Sequence, residues 1–66
     1  MNNSTQATNR FLREPEVARL TGLSRTTRWR LERAGRFPRK RRISENAVAW
    51  VASEIEIWMA ERPEAA

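Results

Sequence analysis

The sequence predicts a mainly α-helical fold around a helix-turn-helix, because two short helical segments flank residues 21–23. The turn contains Gly22, and Ser24 directly behind it is a good N-cap for the second segment. A second observation concerns charge. Residues 25–42 hold nine basic residues and one acidic residue, whereas the whole chain of 66 residues has a net charge of +5. A basic patch beside a helix-turn-helix is typical of a protein that binds nucleic acid.

The composition excludes several other classes of function. A chain of 66 residues holds one domain with a small core, and it contains neither Cys nor His. We therefore expect no metal site, no cofactor and no enzymatic activity, since no His or Cys can serve as base or nucleophile, no pair of acidic residues is apparent and no Gly-rich phosphate loop occurs. No apolar run is long enough to span a bilayer, and the first residues do not resemble a secretory signal. The expected location is the cytoplasm, with the nucleoid.

The first part of the chain predicts a loose end followed by a short helix. Residues 1–10 are polar and read as a disordered arm, and residues 11–13 either add a short strand or pin this arm to the core. Pro15 fits the first turn of a helix, where its missing N–H costs nothing. Gly22 ends that helix. One apolar stripe recurs at helical spacing along it: Val17, Leu20 and Thr21.

The second helix is predicted to run from Arg25 to about residue 34, with Gly35 as its left-handed C-terminal residue. One face would pack on the first helix and consists of Thr27, Leu31 and Ala34. The other face consists of Arg25, Thr26, Trp29, Arg30 and Arg33. Arg and Thr can read base edges in the major groove of DNA, which favours a recognition helix. The alternative is a solvated basic face on a structural helix.

Two residues of the second helix leave alternatives open. Trp29 either lies exposed and donates its indole N–H to a phosphate, or packs against the edge of the core. Arg28 neighbours the packing face, where an aliphatic residue is usual. We expect it to pair with Glu32 one turn on, with its stem over the core and its head in water. On that interpretation Arg28→Ile raises stability by about 1 kcal/mol.

The chain after Pro38 begins with a basic run, Arg39, Lys40, Arg41 and Arg42, that is expected to be extended. On a hairpin these side chains would form a wing that contacts phosphates or a minor groove; otherwise they form a flexible basic loop. Residues 44–46 predict a turn. Residues 45–61 fit either one helix or a strand followed by a helix, which the capping box of Ser53 and Glu56 would start at Ser53.

The last helix is expected to supply part of the core. Its predicted core residues, with one from the segment before it, are Trp50, Ile55, Trp58 and Met59, and Ile57 is the apolar residue expected to be exposed. Pro63 closes the helix. The folded domain is therefore predicted to span residues 11–62, and residues 63–66 to form a flexible tail.

Several short motifs, taken in order, resemble one known family. They are Phe11-Leu12-Arg13, Pro15-Glu16-Val17, the run from Leu20 to Arg25, Trp29-Arg30-Leu31, Gly35-Arg36-Phe37-Pro38, Ala47-Val48-Ala49-Trp50 and the run from Ser53 to Trp58. This order is similar to that of the AlpA family of prophage regulators, over roughly residues 10–63. Arg28 departs from the family pattern, which usually has an aliphatic residue at that position.

The resemblance implies a winged helix-turn-helix, mainly α with a small β-hairpin, related to the DNA-binding part of MerR-type regulators and to excisionases. It implies a hairpin over residues 39–51 and a closing helix from Ser53. The implied contact residues on the recognition helix are Ser24, Arg25, Thr26, Thr27, Trp29 and Arg30, and those on the wing are Arg39, Lys40, Arg41 and Arg42. Arg33 joins the predicted contact residues because it lies on the same helix face as Arg30.

The function implied is that of a sequence-specific, double-stranded DNA-binding transcription regulator of a prophage or integrative element. One alternative is an excisionase that bends attachment-site DNA; others are a protein-interaction adaptor and an RNA-binding module. The expected partner is double-stranded DNA, with self-association on repeated sites and no small-molecule effector.

Overall fold

The fold consists of three helices and one small antiparallel sheet. The computed structural model describes residues 10–65. In chain order the elements are β1 (Phe11–Leu12), α1 (Glu14–Thr21), α2 (Arg25–Arg33), β2 (Arg41–Ser44), β3 (Ala47–Val51) and α3 (Ala52–Ala60). The strands lie in the order β1-β3-β2. Apart from Arg10, the arm predicted at residues 1–10 lies outside the described residues.

The sheet settles two alternatives that the sequence left open. β1 pairs with the end of β3, with Phe11 opposite Val51, so the segment after residue 10 does add a strand. β2 and β3 form a hairpin in which Arg41 lies opposite Ala49, and the register shifts between Arg42 and Ser44. Residues 47–51 are therefore strand, and the single helix over residues 45–61 is wrong.

The core is assembled from nearly every element. Its buried residues are Leu12, Val17, Phe37, Trp50, Ala52 and Ile55, with Leu23, Leu31, Trp58 and Met59 packed against them. The four core residues predicted near the C-terminus are all among these. Ile57 is 58% exposed, as its place off the stripe predicted. Leu20, in contrast, is 47% exposed, so the predicted apolar stripe of α1 narrows to Val17 and the half-buried Thr21.

The helix ends follow the local signals in α1 and α2 but not in α3. Gly22 (φ 71°) closes α1 by donating its N–H to Ala18, and Gly35 (φ 74°) has the expected left-handed conformation. α3 begins at Ala52, and no side chain caps it, so the predicted capping box at Ser53 is wrong. The first residue of α3, Ala52, donates its N–H to the Arg10 carbonyl at 2.8 Å. This N–H therefore has a backbone acceptor next to β1, and the helix begins directly after β3 without a side-chain cap.

Ser24 caps α2 as the sequence predicted. Its Oγ accepts a hydrogen bond from the Thr27 backbone N–H at 3.1 Å and donates to Thr27 Oγ1 at 3.0 Å. We expect Ser24→Ala to lower the free energy of unfolding by about 1 kcal/mol, because an orphan N–H of the first turn loses its acceptor. Urea denaturation measures this, and Ser24→Asn, which retains a capping oxygen, is the matched control. Equal stability of Ser24→Ala and the parent would contradict the capping role.

Candidate nucleic-acid interface

The outer face of α2 is basic and open to solvent. Arg25, Arg30 and Arg33 are exposed, and none of them forms an ion pair with a carboxylate of residues 10–65. Trp29 is 51% exposed, and the Arg33 guanidinium lies 4.9 Å from its ring centroid. Trp29 is not among the residues packed against the core cluster, and its exposed part lies on the same face as the arginines, which favours the first of its two predicted roles.

The first turn of α2 holds the other predicted contact residues. Thr26 is exposed beside Arg25. Ser24 and Thr27 use their hydroxyl groups on each other and on the helix cap, so their contacts within the protein are structural. Six of the seven predicted residues thus lie within α2 and Ser24 caps it; five of the six are exposed on the outer face of the helix, and Thr27 is half-buried.

Arg28 is buried, although the sequence predicted that its guanidinium would lie in water. It is 2% exposed, and its guanidinium forms a two-pronged ion pair with the Glu14 carboxylate, the Nη1–Oε1 distance being 3.0 Å. Its Nε donates to the Leu23 carbonyl at 3.2 Å, and its guanidinium carbon lies 5.7 Å from the Trp50 ring centroid. The expectations of a solvated head and of a pair with Glu32 are wrong, because Glu14 in the first turn of α1 lies within reach.

The inward face of α2 is not the one that the sequence predicted. Leu31 is half-buried against the core and Thr27 is half-buried, as predicted, but Ala34 is exposed. The inward face is therefore centred on Arg28 and Leu31. Sequence reasoning missed this because it compared Arg28 only with residues one turn away on its own helix. The available signal was an acidic residue at the start of the neighbouring helix.

Because Glu14 pairs with Arg28, its contribution to the stability of the fold depends on pH. Its hydrogen bonds with the Arg28 guanidinium lower the pKa of the Glu14 carboxyl below its ordinary value of 4.5, although desolvation opposes the shift. A lowered pKa stabilises the folded state above the unfolded pKa, and this contribution is lost as the pH falls through the folded value. Between pH 7 and pH 3 we expect the parent to lose more stability than Glu14→Gln, as measured by urea denaturation. Glu61→Gln is the charge-matched control, and identical losses in the parent and in Glu14→Gln would contradict the prediction.

The four basic residues in and before β2 differ in the ion pairs and hydrogen bonds that they form within the protein. Arg39 is exposed and forms no ion pair within residues 10–65. Lys40 pairs with Glu32 (Nζ–Oε1 3.1 Å), and Arg41 pairs with Glu54 (Nη2–Oε2 2.5 Å). Arg42 donates to the Glu45 carbonyl at 2.9 Å, which leaves its charge without a carboxylate partner. These residues precede or form one strand of the hairpin, so the flexible-loop alternative does not hold for Arg41 and Arg42.

A cleft of about 340 Å³ separates α2 from the hairpin. Residues from both sides line it: Glu14, Arg25, Arg28, Trp29, Glu32, Lys40, Val48 and Trp50. The outer face of α2 and the start of the hairpin therefore adjoin the same cleft.

Within residues 10–65, no group of three or more acidic side chains is placed to hold a metal ion. None of the three helices has the length and apolarity needed to cross a membrane.

Comparison with known proteins agrees with the resemblance seen in the sequence. The family described as "Prophage CP4-57 regulatory protein (AlpA)" matches residues 10–63. The chain belongs to the AlpA family.

Two relatives of this AlpA-family chain illustrate the range of similarity. The DNA-binding transcriptional activator AlpA of Escherichia coli K12 is 35% identical over an alignment of 68 positions, which covers 94% of each chain. The uncharacterized protein ORF88 of Enterobacteria phage P4 is 51% identical over 53 residues, which cover 80% of this chain. The match spans 60% of that phage protein, less than two thirds of its length.

Proposed function

We propose that this chain is a sequence-specific, double-stranded DNA-binding regulator of transcription in a prophage or integrative element. The observation that carries the proposal is the outer face of α2, where Arg25, Arg30 and Arg33 are exposed without a carboxylate partner among residues 10–65. Membership of the AlpA family supports it, as does the DNA-binding activator named among its relatives.

In this proposal α2 is the recognition helix and lies in the major groove. An α-helix with its side chains is about 10–12 Å in diameter, which fits a major groove about 12 Å wide. Arg25 and Arg30 can each donate two hydrogen bonds to O6 and N7 of a guanine, and Thr26 can contact a base edge or a thymine methyl group. Trp29 and Arg33 are assigned to the sugar-phosphate backbone, which positions the helix without reading sequence.

The β2–β3 hairpin is proposed as the wing of a winged helix-turn-helix. Arg39 and Arg42 are the residues assigned to phosphate, because no carboxylate of residues 10–65 balances their charge. Lys40 and Arg41 already have acidic partners within the protein and are assigned a smaller share of the counterion release. The wing would thus follow the backbone on one side of the groove that α2 reads.

We also propose that more than one copy binds each regulatory site. A single short helix reads only a few base pairs, which gives little selectivity. Copies on repeated half-sites about one helical turn apart would supply the rest. Analytical ultracentrifugation of the complex with a selected duplex measures the number of copies, and one copy on an intact site would contradict this part of the proposal.

The test of the function is selection from a pool of randomised duplexes, followed by sequencing and by affinity measurements across a range of salt concentrations. We expect a short repeated motif to be enriched, and the affinity for it to exceed that for random duplex at every salt concentration. Enrichment of single-stranded RNA in a parallel pool, or a steep salt dependence without any preferred sequence, would contradict the proposal. Either result would leave the basic face as a general nucleic-acid-coating surface.

A further inference from the structure

Glu32 stands out as the one acidic residue among nine basic residues in the range 25–42. An acidic side chain within a basic patch weakens the attraction for phosphate, so electrostatics alone favours its replacement by a neutral residue. The position of its carboxylate suggests a different role. Glu32 lies near the C-terminal end of α2, and only 16% of its side chain is exposed.

The Glu32 carboxylate holds the start of the hairpin at two points. Its Oε2 accepts the Lys40 backbone N–H at 3.2 Å, and its Oε1 accepts from Lys40 Nζ at 3.1 Å. The Lys40 ammonium also lies 5.7 Å from the Trp50 ring centroid. Because one of these bonds is made to the backbone of residue 40, it fixes the chain itself at the residue before β2, and not merely a side chain.

The contact between Glu32 and Lys40 joins the two walls of the cleft. Glu32 and Lys40 both line the cleft between α2 and the hairpin, together with Arg25 and Trp29. A link across the cleft constrains the separation and the angle of its two walls. Charge-assisted hydrogen bonds are stronger and more directional than neutral ones, which suits this purpose.

We infer that Glu32 is a positioning residue, which fixes the hairpin relative to α2 through Lys40 and thereby sets how well the protein discriminates between DNA sequences. The second half of this inference rests on the proposed function. Glu32 itself touches no DNA in this account. It keeps the base-reading residues of α2 and the phosphate-contacting residues of the hairpin in one fixed relative position when they contact a duplex.

The inference predicts that variants of Glu32 and Glu45 differ in the ratio of their affinities for selected and random duplex. Glu45→Gln removes a carboxylate from the hairpin turn that is exposed and holds no ion pair within residues 10–65. It should raise the affinity for selected and random duplex alike and leave their ratio unchanged. Glu32→Ala and Glu32→Gln should also raise the affinity for random duplex, yet lower the ratio by about tenfold, the scale of one lost base contact. An unchanged ratio in both Glu32 variants would overturn the inference about discrimination.

The geometry is measured in the free protein, where DNA plays no part. The chain has no Cys, so Ala34→Cys at the end of α2 and Asn46→Cys at the hairpin turn give two unique spin-label positions. Electron–electron double resonance should report a narrow distance distribution in this background and a broader one after Glu32→Ala. A thermal melt of each labelled variant identifies those that are folded, and Glu32→Gln provides a milder change if Glu32→Ala does not fold.

The two measurements separate the inference from the proposed function. A distribution as narrow in both Glu32 variants as in the parent would overturn the positioning role, whatever the DNA result. A broadened distribution, in a protein whose parent shows no preferred duplex, would support the positioning role and contradict the function proposed above.

Discussion

Arg30→Ala is expected to abolish most of the preference for a selected duplex over random duplex. Arg30 is exposed near the middle of α2 and has no carboxylate partner among residues 10–65, so its guanidinium is available for a guanine edge. The loss of one such two-pronged contact should cost about 1–3 kcal/mol of discrimination. Fluorescence anisotropy with both duplexes, at two or more salt concentrations, measures the effect.

The matched control for Arg30 is Arg19→Ala. Arg19 is an exposed arginine of α1, outside the proposed interface, so its replacement removes the same charge without removing a base contact. It should lower both affinities slightly and leave their ratio unchanged. If Arg30→Ala behaves like Arg19→Ala, Arg30 contributes only charge, and the assignment of base reading to this position is wrong.

Arg28→Ile is expected to destabilise the domain by about 2 kcal/mol, which corresponds to a melting temperature lower by roughly 10 °C for a chain of this size. The substitution leaves the Leu23 carbonyl and the Glu14 carboxylate without their donor. Removing one partner of a buried ion pair usually costs about 3–5 kcal/mol. We expect less here because 40% of the Glu14 side chain is exposed and water can solvate it.

Two further variants test the origin of that loss. Arg28→Lys retains the charge but not the two-pronged geometry, so it should be intermediate in stability. The double variant Glu14→Leu with Arg28→Ile removes both charges, so it should recover part of the loss. Urea denaturation of the parent, Arg28→Ile, Glu14→Leu and the double variant completes the double-mutant cycle and gives the coupling between the two residues. A melting temperature of Arg28→Ile at or above that of the parent would show that the ion pair does not stabilise the fold.

Local features of this chain were predictable, since each depends on a few consecutive residues. The cap at Ser24, the left-handed Gly22 and Gly35, and the exposure of Ile57 follow from backbone conformation and helical periodicity. The predicted site residues on α2 likewise share one helix. For the same reason, the basic face could be identified before the fold was known.

Features that depend on contacts between distant residues were not predictable. The pair of Arg28 and Glu14 joins residues 14 positions apart, and periodicity within one helix gives no signal for it. Residues 47–51 fit a strand and a helix equally well, and pairing with β1 and β2 decides between them. The capping box at Ser53 failed because the Arg10 carbonyl already fixes the Ala52 N–H.

The most direct test of the proposed interface uses Trp29 and Trp58 as internal probes in an NMR titration with a selected duplex. The Trp29 side chain is half-exposed on the outer face of α2, whereas the indole N–H of Trp58, in α3, donates to the Arg36 carbonyl at 2.8 Å. We predict that the Trp29 indole signal and the amides of α2 and of the hairpin shift most, while the Trp58 indole signal changes little. Large shifts at Trp58 and along α3, with α2 unaffected, would contradict the assignment of α2 and the hairpin as the DNA-binding surface.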